Sequence, residues 1–134
     1  MSAHTFKEWA MFAQDLHIPL AILTMLAVVV ATLEGAVRAV RARPAGVAAE
    51  RTRTAVVLAV AMTTAAGVAL LVGGHHPKEW LHLIYAALVF SLVPVADNAG
   101  TMLQSDRGKG LARFGGGLVC LVVVTRLFAT GSPA

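Results

Sequence analysis

The chain reads as an all-α protein, a four-helix transmembrane bundle built from two parallel two-helix repeats. Three observations predict this. Of 134 residues, 57% are hydrophobic and only 13% charged, with a mean hydropathy of +0.75. Soluble domains carry roughly 25% charged residues, so about half the usual charge is missing. The apolar residues are gathered into four blocks of about 20, the length that crosses a hydrocarbon core. One phrase also occurs twice: Lys7-Glu8-Trp9 precedes Leu16-His17, and Lys78-Glu79-Trp80 precedes Leu81-His82.

The blocks place spans near 18–40, 54–73, 80–100 and 111–130. Ahead of the first, Phe6, Trp9, Ala13 and Leu16 share a face at helical spacing, with Lys7, Glu8, Gln14 and Asp15 elsewhere. This reads as a short interfacial helix. The first span starts too late and runs too long for a secretory leader, and three spans of similar character follow. Pro19 falls within its first turn, where proline is tolerated. Near its far end Glu34 precedes Arg38 by four residues, the spacing of a helix surface pair.

The second span carries Gly67 in its outer half. The third opens on Leu81-His82 and contains Pro94, which predicts a kink because a backbone donor is missing. Asp97 and Asn98 at its far end read as a membrane boundary. The fourth holds Gly115-Gly116-Gly117, which points to close helix packing or a flat partner. Cys120, the sole cysteine, lies mid-span and forms no intramolecular disulfide. The connections are short, so residues 1–134 read as one integral membrane domain.

Orientation follows from the basic residues. Arg38, Arg41, Arg43, Arg51 and Arg53 surround the first connection, and Arg107, Lys109 and Arg113 the third. The opposite side offers only Lys7 and Lys78. The arginine collar is therefore expected in the cytoplasm and both termini outside it, as in a bacterial inner membrane. The net charge of +4 and the pI near 10 reflect this collar and its contact with anionic lipid, not nucleic-acid binding.

Given that topology, His4, His17, His75, His76 and His82 share the non-cytoplasmic side. His17 and His82 each begin a span, and Trp9 and Trp80 sit where indoles favour headgroups. Aligning the two histidines also aligns Ala21 with Ala86, Leu23 with Leu88, Ala31 with Ala96 and Gly35 with Gly100. A parallel repeat implies a twofold axis along the membrane normal, which sets the two imidazoles opposite each other. Facing imidazoles at one level can hold a haem iron. Ala21 and Ala86, one turn deeper, leave space for a flat macrocycle, and Gly67 relieves crowding in the same way. The plainer reading is that such histidines only reach headgroups or water.

Arg126 is the costliest residue in the chain, set in the apolar run 121–128. It snorkels outward as an anchor, or it binds an anion at the histidine level. A haem propionate is such an anion, and a guanidinium engages a carboxylate through two parallel hydrogen bonds. Lys78, His75 and His76 in the adjoining loop are candidates for the second propionate.

With Leu16-His17 and Leu81-His82 so arranged, the chain resembles the membrane four-helix b-type cytochromes. In plan it is also similar to one half of a haem A synthase and to four-helix copper-resistance membrane proteins. The resemblance implies haem b with two axial histidines, carried over to His17 and His82 alone. It implies an electron-transfer protein, a small subunit of a larger respiratory or photosynthetic membrane complex. Two alternatives stand beside it: a cofactor-free accessory subunit, and copper handling through His4, His75, His76 and Met11. The chain contains no catalytic triad, zinc motif, phosphate loop or dinucleotide fingerprint, and is not expected to be an enzyme.

Overall fold

The computed structural model describes residues 2–77 and 79–131, with Asp97 by its backbone alone. Four helices follow one another: α1 (Ala3–Arg41), α2 (Val47–Val72), α3 (Leu81–Thr101) and α4 (Asp106–Gly131). No strand occurs among the described residues. Each helix is long and apolar enough to cross a membrane. Leu26, Leu33, Leu58, Phe90 and Val122 are all exposed, a surface that suits lipid tails and not water. The chain is an integral membrane protein whose outer faces meet the bilayer.

The first helix is longer than the sequence predicts. It runs unbroken for 39 residues, about 58 Å at about 1.5 Å per residue. The segment read as a separate interfacial helix is its first third. The Ser2 hydroxyl accepts from the Thr5 backbone N–H at 3.3 Å and caps the start. Pro19 therefore lies inside the helix and not in its first turn. Tertiary contact explains the extension: Ala10 and Ala13 are buried, and a Cβ built at Gly73 would stand 3.0 Å from the Ala10 Cβ. The beginning of α1 thus leans on the end of α2. Trp9, placed on the expected apolar face, is 60% exposed.

Around the bundle, α1 packs against α2 and α4, and α3 packs against α4. The α2–α3 side is the most open, and α1 and α3 stand on a diagonal without close backbone approach. The α1–α4 seam is tight because glycines line it from both sides. A Cβ at Gly35 would fall 2.8 Å from the Phe114 backbone nitrogen, and one at Gly110 would fall 2.5 Å from that of Ala39. Such close approach maximises dispersion where lipid offers no hydrophobic drive between helices. Buried Val28, Val56, Val60, Val89, Cys120 and Val124 form the core at mid-height, with every helix contributing. Thr24 and Thr63 add a buried hydroxyl hydrogen bond of 2.8 Å between α1 and α2.

The turn after α2 exposes two histidines for a clear reason. Gly74 takes a φ of +82°, which only glycine adopts without strain. His75 N–H then bonds Leu70 C=O at 2.9 Å and Gly74 N–H bonds Leu71 C=O at 3.1 Å, closing the helix with a Schellman motif. His75 and His76 emerge into the exposed connection. α3 begins at once beyond it and runs through Pro94 as a single helix.

Candidate functional site

His17 on α1 and His82 on α3 meet across the bundle from its two diagonal helices. Their ring centres are 6.3 Å apart and their planes cross at 64°. Both rings are half-buried, in a molecule whose other three histidines are exposed.

Each ring turns one side toward the backbone of a neighbouring helix. His82 donates Nδ1–H to the Leu127 carbonyl of α4 at 3.1 Å. A carbonyl only accepts, so a neutral His82 bonded in this way carries its lone pair on Nε2. The His17 ring interacts with the backbone of Thr63 on α2. The enclosed His17 Nδ1 has no hydrogen-bond partner. Beside it lies Gly67: a Cβ there would stand 3.5 Å from His17 Cε1. An alanine there would make ordinary contact with the imidazole, so only a longer side chain could press on it.

The remaining expected residues divide. Ala21 and Ala86 are half-buried one turn below their histidines. Arg126 is exposed on α4, adjacent in sequence to the Leu127 carbonyl that holds His82. Among the described residues its guanidinium makes no ion pair. His76 is exposed in the α2–α3 connection. Lys78 and the Asp97 side chain lie outside the described residues. His4 pairs with Glu8 at 3.2 Å in an exposed contact near the start of α1.

Among the described residues, no three His, Cys, Asp or Glu side chains gather to hold a metal ion. The two central imidazoles are a pair. A bare ion such as zinc takes three or four protein ligands. A macrocyclic iron brings four of its own and needs two axial ones. The spacing also fits the axial role. An imidazole nitrogen binds a metal at about 2.0–2.1 Å, so two rings facing one ion end-on have centres about 6 Å apart.

At the opposite end of the bundle is a second polar cluster, which sequence reasoning missed. Glu34 Oε1 lies 3.7 Å from Arg38 Nε, and its Oε2 lies 3.0 Å from Arg113 Nε. The second approach has ion-pair length but misses hydrogen-bond alignment, so Oε2 is enclosed without a hydrogen-bond partner. Arg113 also donates through Nη2 to the Ala49 carbonyl at 3.0 Å and to the Thr52 hydroxyl at 2.6 Å. One guanidinium thereby ties α4 to α1 and α2. The three charged side chains are only 10–16% exposed. The Glu34–Arg38 pair is therefore a buried junction, not the surface pair its spacing implies. The one available signal was Arg113 itself, a charge set at the mouth of an apolar span.

Comparison with known proteins found no matching family model, curated protein or solved structure. The functional reading rests on the site.

Proposed function

We propose that the chain is a haem b-binding electron-transfer protein of a bacterial inner membrane, with His17 and His82 as axial ligands near the non-cytoplasmic face. The observation that carries this reading is the pairing of the two half-buried rings at 6.3 Å. Its support is the backbone hydrogen bond behind His82. Metal-bound histidines commonly donate their other N–H to a carbonyl or carboxylate, which fixes tautomer and orientation. His82 already does so through Leu127, and His17 Nδ1 is enclosed beside α2 with its hydrogen bond unmade.

Held by His17 and His82 together, a haem would supply one-electron transfer and leave no open site for substrate. The chain's own part is to hold the two rings at fixed separation, leave room beside them at Ala21, Ala86 and Gly67, and limit access of water. Arg126, with Lys78 and His76, is assigned to the propionates.

The same reading includes a parallel duplication of a two-helix hairpin. In its favour, each histidine turns to the helix that follows its own, α2 for His17 and α4 for His82. The halves have diverged elsewhere. Gly35 sits in the tight α1–α4 seam, whereas its sequence counterpart Gly100 has nothing within 4 Å of a built Cβ. The open α2–α3 side suits a chain completed by a larger respiratory or photosynthetic complex.

A second reading has its own observation. Rings 6.3 Å apart at 64° also make an ordinary edge-to-face contact, as in a cofactor-free accessory subunit. A reduced-minus-oxidised visible spectrum of the chain, expressed with ample haem, separates the two. Low-spin haem bands are expected. Their absence would hand the assignment to the accessory subunit.

A further inference from the structure

A cavity of about 220 Å³ opens at the arginine end, between α1, α3 and α4. Three of its six lining residues are basic: Arg38, Lys109 and Arg113. The other three are Ala96, Gly100 and Thr101 of α3, and among the described residues no acidic side chain lines it. Small residues on α3 thus leave the space, and cations from α1 and α4 border it.

Among the described side chains the charge around this space is unbalanced. Arg38 and Arg113 share a single carboxylate, Glu34. Arg38 is only 10% exposed along its side chain, and its 3.7 Å approach to Glu34 is too long for a hydrogen bond. Its Nε–H is consequently enclosed without a hydrogen-bond partner. Lys109 adds a third positive charge with no acidic partner among the described residues. Buried cations in excess are costly unless an anion offsets them. Guanidinium groups match phosphate oxygens through paired N–H donors, and a lysine adds a point charge.

The space beyond is lined by Arg53 and Arg113 at its mouth and otherwise by apolar and small residues. A second cavity of about 60 Å³ shares Ala96 and Arg113 with the first and runs to Val28, Val93 and Cys120 in the core. A ligand with an anionic head and a hydrocarbon tail matches both. The position agrees, since Glu34 lies seventeen residues from His17 along α1, about 26 Å and close to the thickness of a hydrocarbon core. We propose that this pocket binds the phosphate of an anionic phospholipid between Arg38, Lys109 and Arg113, with the chain lying toward the apolar cavity. The proposal does not depend on haem.

Native mass spectrometry of the full chain in detergent tests it, with phosphatidylglycerol and phosphatidylcholine supplied in equal amounts. Phosphatidylglycerol should be retained preferentially. Lys109→Gln, which disturbs no ion pair of the described residues, should lower that retention about fivefold, as expected for losing one cation near a phosphate. Arg38→Gln should lower it at least as much, and Lys7→Gln, at the other end, should leave it unchanged. Equal retention of the two lipids would overturn the proposal, as would undiminished retention in both pocket variants. Displacement by millimolar inorganic phosphate as effectively as by added phosphatidylglycerol would assign the pocket to a soluble anion and overturn the lipid.

Discussion

His82 reaches across the α3–α4 interface and donates Nδ1–H to the Leu127 carbonyl at 3.1 Å. That carbonyl belongs to a helix whose next residue toward the core side of the sequence, Arg126, carries the charge most expensive to place among apolar neighbours. The ring is therefore held by a backbone carbonyl one residue along from an exposed arginine, and the two can be tested apart.

His17→Ala and His82→Ala should each abolish six-coordinate low-spin haem, because each removes one of two axial donors. Met11 and His76 are the available substitutes, and both are exposed. His75→Ala should leave the spectrum intact. Circular dichroism should show four helices retained throughout, since the buried core of Val28, Val56, Val60, Val89, Cys120 and Val124 does not involve either imidazole. A normal low-spin spectrum in either ligand variant would remove that histidine from the site.

Arg126→Gln should lower the haem potential. The arginine's positive charge disfavours the more positive oxidised iron, so its loss stabilises the oxidised form. A fall of a few tens of millivolts is expected, where about 59 mV corresponds to tenfold for one electron. Redox titration with unchanged haem content and unchanged potential would make Arg126 an interfacial anchor only.

Glu34→Gln should destabilise the bundle strongly. It strips the carboxylate shared by Arg38 and Arg113, whose side chains are 10% and 16% exposed. Removing one partner of a buried ion pair costs about 3–5 kcal/mol, mostly because the other charge is left uncompensated. Denaturant unfolding in micelles reads the loss. A change below about 1 kcal/mol, the level of exposed pairs, would mean that water already serves these charges.

Neighbouring glycines should respond with opposite sign. Gly116→Ala puts a methyl 2.7 Å from the Ala96 Cβ of α3 and must push the helices apart, a strain of about 1–3 kcal/mol. Gly115→Ala meets nothing within 4 Å and should gain up to about 1 kcal/mol of helix propensity. Thermal shifts of the two variants in the same direction would contradict the α3–α4 packing.

The orientation can be read by labelling. A cysteine at Ala45, in the connection between α1 and α2, should react with an impermeant reagent only after the membrane is opened, in a background lacking Cys120. Reaction in intact cells would reverse the topology and move both histidines to the cytoplasmic side.

The spans were legible because about 20 consecutive apolar residues leave a chain few alternatives. The histidine pair was legible because its two members carry the same flanking phrase. The Glu34–Arg113 junction was not, since its partners come from separate helices and sequence spacing displays only the nearer arginine. Pro19 misled for a local reason: proline is at home in a first turn, and only the packing of Ala10 near Gly73 carries α1 back to Ala3. The glycine run announced tight packing, but not that Gly115 faces open space while Gly116 touches α3.

The length of α1 sets a limit on how it can sit in a bilayer. At the steepest usual tilt of about 40°, a hydrocarbon core of about 30 Å takes up about 26 residues of helix. α1 has 39, so about a dozen must stand in headgroups or water. Its first turns, with Trp9, Met11 and Phe12 exposed, form a fixed mast on the histidine side. His17 lies fourteen residues in from Ala3, about 21 Å along the helix, so its ring sits well back from the tip.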